Sequence, residues 1–194
     1  MVVTKSGSVL KRHISANTTT FQNGEHMGIY DVRVNHIVKP LGFLMNRVSV
    51  SWKVSDAEGR KQTAARIIIA EDPNLLSVIT DTGYDASLNS LGTVIPIELK
   101  PRTRYYYQVS ACSDADEVII SDIEWFETGK MNEEWEAAWI TCDSNEPRHP
   151  YFEKEIPART RSVKRARLYM TGLGLYEAYY NGEKIGNESG SVFQ

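Results

Sequence analysis

The sequence predicts an all-β fold built from two successive β-sandwiches. Residues 47–54 show the two-residue period of a strand with one buried face, with apolar side chains alternating against polar ones: Val48, Val50, Trp52 and Val54 against Ser49, Ser51 and Lys53. Further short segments of this kind are separated by turn-forming residues, with no amphipathic helix between most of them. Near the other end, Asn181-Gly182 is the dipeptide favoured by a two-residue type I′ hairpin.

Six segments carry the strand pattern of the first sandwich. They are Tyr30–His36, Arg47–Val54, Ala64–Ala70, Val94–Leu99, Arg104–Ser113 and Val118–Thr128. Asp72–Val78 is expected to hold one helical turn at most. The hairpin at Asn181-Gly182 is expected to join Leu175–Tyr180 with Glu183–Ile185 in the second sandwich.

The segment Leu99–Tyr105 narrows the class of the first sandwich. Its L-x-P-x-T-x-Y form resembles the tyrosine corner of fibronectin type III domains, in which the Tyr hydroxyl bonds to backbone just upstream. Tyr105, Tyr107, Val109 and Ala111 should then face the core. Trp52 lies where such domains keep a core tryptophan.

Polar composition and linker residues divide the chain into three parts. Residues 1–27 lack an apolar period and are expected to form a flexible, native or expression-derived leader. Residues 28–130 form the first sandwich, and residues 135–194 the second. The polar stretch around Gly129–Glu136 separates the two sandwiches.

Charge and cysteine content exclude several function classes. The formal net charge of −3 is spread without long runs of one sign, so nucleic acid is not expected as a partner. Cys112 and Cys142 lack metal-ligand spacing, and no metal or cofactor is expected. Without a secretion signal or membrane span in the sequence, we expect a cytoplasmic location.

Three clusters merit inspection for chemistry. Glu153 and Glu155 would share a strand face, as paired acid and base residues can, although a solvated face explains them better. Asp114, Asp116 and Glu117 could offer oxygens to calcium but lack the pattern of a known calcium loop, which favours a solvated hairpin tip. Gly172-Leu173-Gly174 begins a G-x-G without the parallel-sheet unit of a dinucleotide site.

Aromatic side chains carry the binding hypothesis, because flat rings stack on the apolar faces of sugars. Seven rings are candidates, although core packing is the first interpretation for most of them: Trp125, Trp135, Trp139, Tyr151, Tyr176, Tyr179 and Tyr180.

The segment from Ala166 to Gly186 resembles the signature of the amino-terminal β-sandwich of bacterial α-L-rhamnosidases. W-x-A-x-W-I from Trp135 and F-x-K from Phe152 are similar to the same family in order and spacing. Residues 30–54, with Pro40-Leu41-Gly42-Phe43 and Ser51-Trp52-Lys53-Val54, resemble the fibronectin-like module that precedes that sandwich. The resemblance runs from about Gly28 to about Glu188.

This resemblance implies a non-catalytic accessory region of an enzyme that cleaves terminal α-L-rhamnose with inversion. Such chemistry needs an acid and a base about 6.5 to 9.5 Å apart, which the family carries in a later helical barrel. No catalytic residue can therefore be assigned in this chain, and the substrate-binding residues are unknown. The expected partners are that barrel and rhamnose-containing carbohydrate.

Two alternatives remain, a carbohydrate-binding module and a fibronectin-like adhesion module unrelated to glycosidases. The second sandwich looks truncated, since about sixty residues follow Trp135. A half-built sandwich leaves strand edges without partners. We therefore expect it to be partly disordered or to associate with another copy.

Overall fold

The structure is a computed structural model that describes residues 28–55, 57–143, 150–157, 160, 162–163, 165–185 and 190–191. The leader predicted for residues 1–27 lies outside the described residues. Those that are described divide into two compact units, a first that ends at Glu134 and a second that begins at Trp135. The described part of the chain contains no helix with the length and hydrophobicity needed to cross a bilayer.

The described residues of the first unit form nine strands in two sheets. In chain order these are β1 (Gly28–Val34), β2 (Leu41–Phe43), β3 (Val48–Ser55), β4 (Gln62–Ala70), β5 (Val78–Asp81), β6 (Thr93–Ile95), β7 (Arg104–Ser113), β8 (Val118–Ile120) and β9 (Glu124–Thr128). One sheet has the order β1-β3-β6, and the other β2-β9-β7-β4-β5, with β8 also paired to β7. Neighbours are antiparallel except β2 and β9, which run parallel. The all-β prediction is confirmed.

Alternating side chains fill the core of the first unit. Tyr105, Tyr107, Val109 and Ala111 on β7 are all buried, as predicted from their register. Trp52 is also buried, and its indole N–H donates to Gln62 Oε1 at 3.2 Å. Val54 departs from the predicted buried face, because it lies near the end of β3 and is 38% exposed.

The tyrosine corner is present. The backbone N–H of Lys100 donates to the Tyr105 hydroxyl oxygen at 2.7 Å. The Tyr105 ring stacks on Phe126 with centroids 5.1 Å apart, which adds an aromatic contact of about 0.5–1.5 kcal/mol to the burial of both rings. The corner thus joins the chain entering β7 to the core.

Several predicted strand boundaries are wrong. The strand predicted over Val94–Leu99 ends already at Ile95, because the next residue, Pro96, has no N–H to donate to a neighbouring strand. Val118–Thr128 is interrupted at Ser121, whose hydroxyl takes the place of a backbone acceptor for the Val109 N–H at 3.0 Å. The short strands β2 and β5 were not predicted, since three or four residues do not establish a period.

The described strands of the second unit are short. They are β10 (Leu175–Tyr176), β11 (Tyr179–Tyr180), β12 (Glu183–Lys184) and β13 (Gly190–Ser191). Asn181 and Gly182 have φ of 51° and 82°, so the type I′ hairpin is confirmed between β11 and β12. The longer strand expected from Leu175 to Tyr180 is wrong, because β10 pairs with β13 instead.

We expect Tyr105→Phe to lower the free energy of unfolding by about 1–2 kcal/mol, because the Lys100 N–H would lose its acceptor in a half-buried site. Urea unfolding followed by tryptophan fluorescence measures the change. Tyr106→Phe is the matched control, since Tyr106 points away from the core and should change stability little. Equal stability of the two variants would contradict the structural role of the corner.

Candidate functional site

Glu153 and Glu155 do not form a catalytic pair on a strand. Both are exposed, and residues 150–157 are described without strand pairing, so the shared strand face predicted for them is wrong. A strand needs a neighbour to pair its N–H and C=O groups, and no described strand supplies one here. Neither carboxyl has the burial that prepares a general acid.

The three acidic residues after β7 lie at the tip of the β7–β8 hairpin, as predicted, but two of them do more than face solvent. Asp114 Oδ1 accepts from the backbone N–H groups of Arg60 and Lys61 at 2.8 and 3.2 Å. Glu117 accepts from the N–H groups of Glu58 and Gly59 at 3.1 and 2.9 Å. These carboxylates therefore anchor the loop between β3 and β4.

The anchored loop approaches the hairpin so closely that its contact residue must be glycine. A Cβ on Gly59 would lie 2.4 Å from the Cβ of Ser113. The Ser113 hydroxyl donates to Glu117 Oε2 at 2.7 Å. This bond, followed by the two loop N–H groups, holds the pKa of Glu117 below its usual value. Within the described residues, no group of three or more His, Cys, Asp or Glu is placed to hold a metal ion.

Trp125 lies on the outward side of the larger sheet, with one ring face already covered. The Arg104 guanidinium carbon lies 3.9 Å from the ring centroid, and Arg104 Nε donates to Glu127 Oε2 at 2.9 Å. Glu127 is only 2% exposed, so this ion pair is largely removed from water. Because the guanidinium occupies one ring face, that face of Trp125 is not available to stack on a sugar.

The other predicted aromatics lie in the second unit, where core packing does not account for several of them. Trp139 and Tyr151 are 69% and 65% exposed, and Trp135 and Tyr180 are about half exposed. Tyr176 and Tyr179 are half-buried. The expectation that most of these rings fill a core is therefore wrong for the exposed four.

A small polar network holds the hairpin of the second unit. Glu177 accepts from Lys184 Nζ at 2.5 Å and from the Tyr179 hydroxyl at 2.6 Å. These bonds, that from Lys184 first, hold the pKa of Glu177 below its usual value. Gly172 contacts the Tyr176 ring, where an added Cβ would lie 3.0 Å from it. The G-x-G segment thus supports an aromatic contact rather than a dinucleotide loop.

Two family models match this chain in succession. Residues 29–132, more than half of the chain, match the Rha78A-like, N-terminal immunoglobulin domain. Residues 161–190 match the α-L-rhamnosidase N-terminal domain. The order of the two matches follows the order of the two units.

Individual relatives agree with the family models. An α-L-rhamnosidase of Formosa agariphila is 28% identical over 189 residues, covering 89% of this chain and 20% of the relative. The crystal structure of Streptomyces avermitilis α-L-rhamnosidase complexed with L-rhamnose is 30% identical, with a TM-score of 0.55 over 60% of this chain and 12% of that one. The structure of α-L-rhamnosidase from Dictyoglumus thermophilum is 30% identical in sequence, with a TM-score of 0.53. The match covers 59% of this chain and 14% of that one. The chain spans about a fifth or less of these relatives.

We expect Glu117→Gln to loosen the β3–β4 loop at neutral pH and to speed hydrogen exchange at the Glu58 and Gly59 amides several-fold. A carboxylate whose pKa is lower in the folded than in the unfolded state stabilises the folded state at pH values above the unfolded pKa. This stabilisation is lost as the pH falls from the unfolded pKa through the folded pKa. The difference in amide exchange rate between variant and parent should therefore shrink when the pH falls below the ordinary glutamate pKa of 4.5.

Asp116→Asn is the matched control, because Asp116 lies at the same hairpin tip with a φ of 59° that asparagine tolerates. It should leave both amides protected. Equal protection of these amides in Glu117→Gln and the parent at pH 7 would show that Glu117 does not anchor the loop.

Proposed function

This chain belongs to the family of Rha78A-like N-terminal immunoglobulin domains, and from that membership we propose that it forms the non-catalytic, amino-terminal accessory region of an α-L-rhamnosidase. The observation that carries the proposal is the succession of the two family matches, the second of which is itself a rhamnosidase domain. The relatives' remaining length, about four fifths, leaves room for a catalytic domain in the whole enzyme.

The proposed role is scaffolding. The first unit has a core that buries Tyr105, Tyr107 and Phe126, and its β3–β4 loop is held by carboxylates such as Glu117. Such a unit offers a rigid surface against which a catalytic barrel can be positioned, and rigid supports hold active-site geometry better than loops. The whole enzyme would act on terminal α-L-rhamnose in rhamnose-containing carbohydrate, with inversion.

The second unit supplies the surface for the proposed partner. Trp139, Leu173 and Leu175 are 69%, 87% and 80% exposed, which is more apolar exposure than a short hairpin unit needs for itself. In the whole enzyme the catalytic barrel would cover them. In the chain alone, the same side chains favour association with a second copy.

A bacterial origin and a cytoplasmic location belong to the same proposal. Both cysteines are free, with Cys142 exposed. Free, exposed thiols are typical of a reducing compartment. Localisation of the tagged gene product by cell fractionation would test the assignment, and recovery in the periplasm or medium would contradict it.

We expect the purified chain to release no p-nitrophenol from p-nitrophenyl α-L-rhamnopyranoside above the rate in buffer, because the acid and base of the inverting reaction are proposed to lie in the catalytic barrel of the whole enzyme. A control with Glu153→Gln and Glu155→Gln should give the same blank rate. Turnover that disappears in this double variant would overturn the non-catalytic assignment.

Sequencing the gene beyond Gln194 should find a helical barrel domain, and a stop codon there would contradict the proposed parent.

We expect light scattering after size exclusion to show a mass that rises with protein concentration. Leu173→Ser combined with Leu175→Ser should restore the monomer mass, since it removes exposed apolar surface. Leu76→Ser is the matched control, because Leu76 is 82% exposed but lies in the first unit. A monomer at every concentration would count against association through the second unit.

A further inference from the structure

A cleft of about 540 Å³ opens on the first unit beside the end of β3. Its lining includes Tyr30 and Lys53 from the smaller sheet, residues 59–61 from the anchored loop, Gln62 at the start of β4, and residues 111–113 from β7. The volume is within the range of small-ligand pockets, which is roughly 300–1,000 Å³. Nothing in the scaffolding role requires an open cleft at this position.

Tyr30 presents a free aromatic surface to this cleft. Its side chain is 50% exposed, although its neighbours Ile29 and Val32 on β1 are buried. The Lys53 ammonium lies 6.0 Å from the ring centroid, at the outer limit of a cation–π contact. Lys53 therefore leaves the Tyr30 ring face open, whereas Arg104, at 3.9 Å, covers one face of Trp125. An exposed ring of this kind can stack on the C–H face of a sugar.

A polar pair lies beside the ring. Asp31 Oδ2 and Lys53 Nζ are 2.7 Å apart, and Asp31 Oδ1 accepts from Arg33 Nε at 2.7 Å. Asp31 has a φ of 49°, and the pairing of β1 with β3 shifts register between Tyr30 and Arg33. Bulges of this kind re-aim side chains and are frequent next to binding sites. An ionised carboxylate has about four acceptor positions, so this pair retains capacity for hydroxyl groups.

The charges around the cleft favour a neutral ligand. Three cationic side chains line it: Lys53, Arg60 and Lys61. Carboxylates lie close to these cations: Asp31 pairs with Lys53, and Asp114 and Glu117 accept from the backbone N–H groups of Arg60 and Gly59. Nearby carboxylates weaken the field that the cations would otherwise present to an anion, and paired donors and acceptors suit a polyol.

The walls of the cleft are fixed in advance. The Trp52 indole N–H donates to Gln62, and the Gln62 amide donates to the Leu88 carbonyl at 2.8 Å. The close approach of Gly59 to Ser113 fixes the opposite wall. A preformed site loses little conformational freedom on binding, which matters for ligands as weakly held as single sugars.

We propose that this cleft binds one neutral pyranose unit of a glycan, with the Tyr30 ring as stacking platform and the Asp31–Lys53 pair holding its hydroxyl groups. The site rests on the geometry of the first unit and goes beyond the proposed accessory role. It would give the chain a direct contact with carbohydrate, at a place other than the aromatic side chains of the second unit.

The test is a ¹H–¹⁵N NMR titration of the full chain with three probes: methyl α-L-rhamnopyranoside, methyl α-D-mannopyranoside and methyl β-D-glucopyranoside. At least one should give saturable shifts at the Tyr30, Lys53 and Gly59 amides, with a Kd on the order of 1–10 mM. Absence of saturable shifts at these amides with all three sugars would overturn the site. Because two probes are not rhamnosides, this result is independent of whether the parent is a rhamnosidase.

Variants separate stacking from unspecific effects. Tyr30→Ala should weaken binding by about tenfold or more, and Tyr30→Phe should keep it within about threefold, since the ring remains. Lys53→Met, on an exposed side chain, should also weaken binding and serves as the second variant if Tyr30→Ala is poorly folded.

Tyr84→Ala is the matched control. Like Tyr30, Tyr84 is about half exposed, at 49%, and has a cation near its ring: the Arg66 guanidinium, 5.9 Å away and paired with Asp81. Tyr84 does not line the cleft. Binding should be unchanged in this variant. An equal loss in Tyr84→Ala and Tyr30→Ala would show that the effect is not specific to the cleft and would overturn the proposal.

Discussion

The hydrogen bond from the Lys100 N–H to the Tyr105 hydroxyl is the constraint on which the first unit depends. It fixes the point at which the chain enters β7, and β7 pairs with β4, β8 and β9. Thr128 closes the same corner from β9, since its hydroxyl donates to the Lys100 carbonyl at 2.8 Å and accepts from the Thr103 N–H at 2.9 Å. The corner therefore ties the start of the central strand both to the segment before it and to the end of β9.

Loop anchoring by carboxylates is the second device of the first unit. Asp114 and Glu117 satisfy four backbone N–H groups of the β3–β4 loop, groups that would otherwise need water. The acidic hairpin tip therefore holds a neighbouring loop in place. The same anchoring fixes one wall of the cleft beside Tyr30, so a structural device and a candidate binding site share residues.

The two units differ in how they treat apolar surface. In the first unit, aromatic and branched side chains such as Phe126 and Ile67 are fully buried between the sheets. In the second, Leu173 and Trp139 remain exposed, and the described strands have two residues each. This contrast fits a chain whose first unit folds around its own core and whose second unit is completed by a partner, which is the role proposed for a catalytic domain.

The sequence by itself determined the features that depend on neighbouring residues. Alternation fixed the buried face of β7, the L-x-P-x-T-x-Y pattern fixed the corner at Tyr105, and Asn181-Gly182 fixed a hairpin that needs two positive φ angles. Only the tertiary structure decided which distant segments meet. Three contacts show this: β2 pairs in parallel with β9, Glu117 binds the β3–β4 loop, and Tyr30 lies beside Lys53. Each joins residues far apart in the chain, and the last also depends on a bulge in β1. No local period in the sequence encodes such contacts.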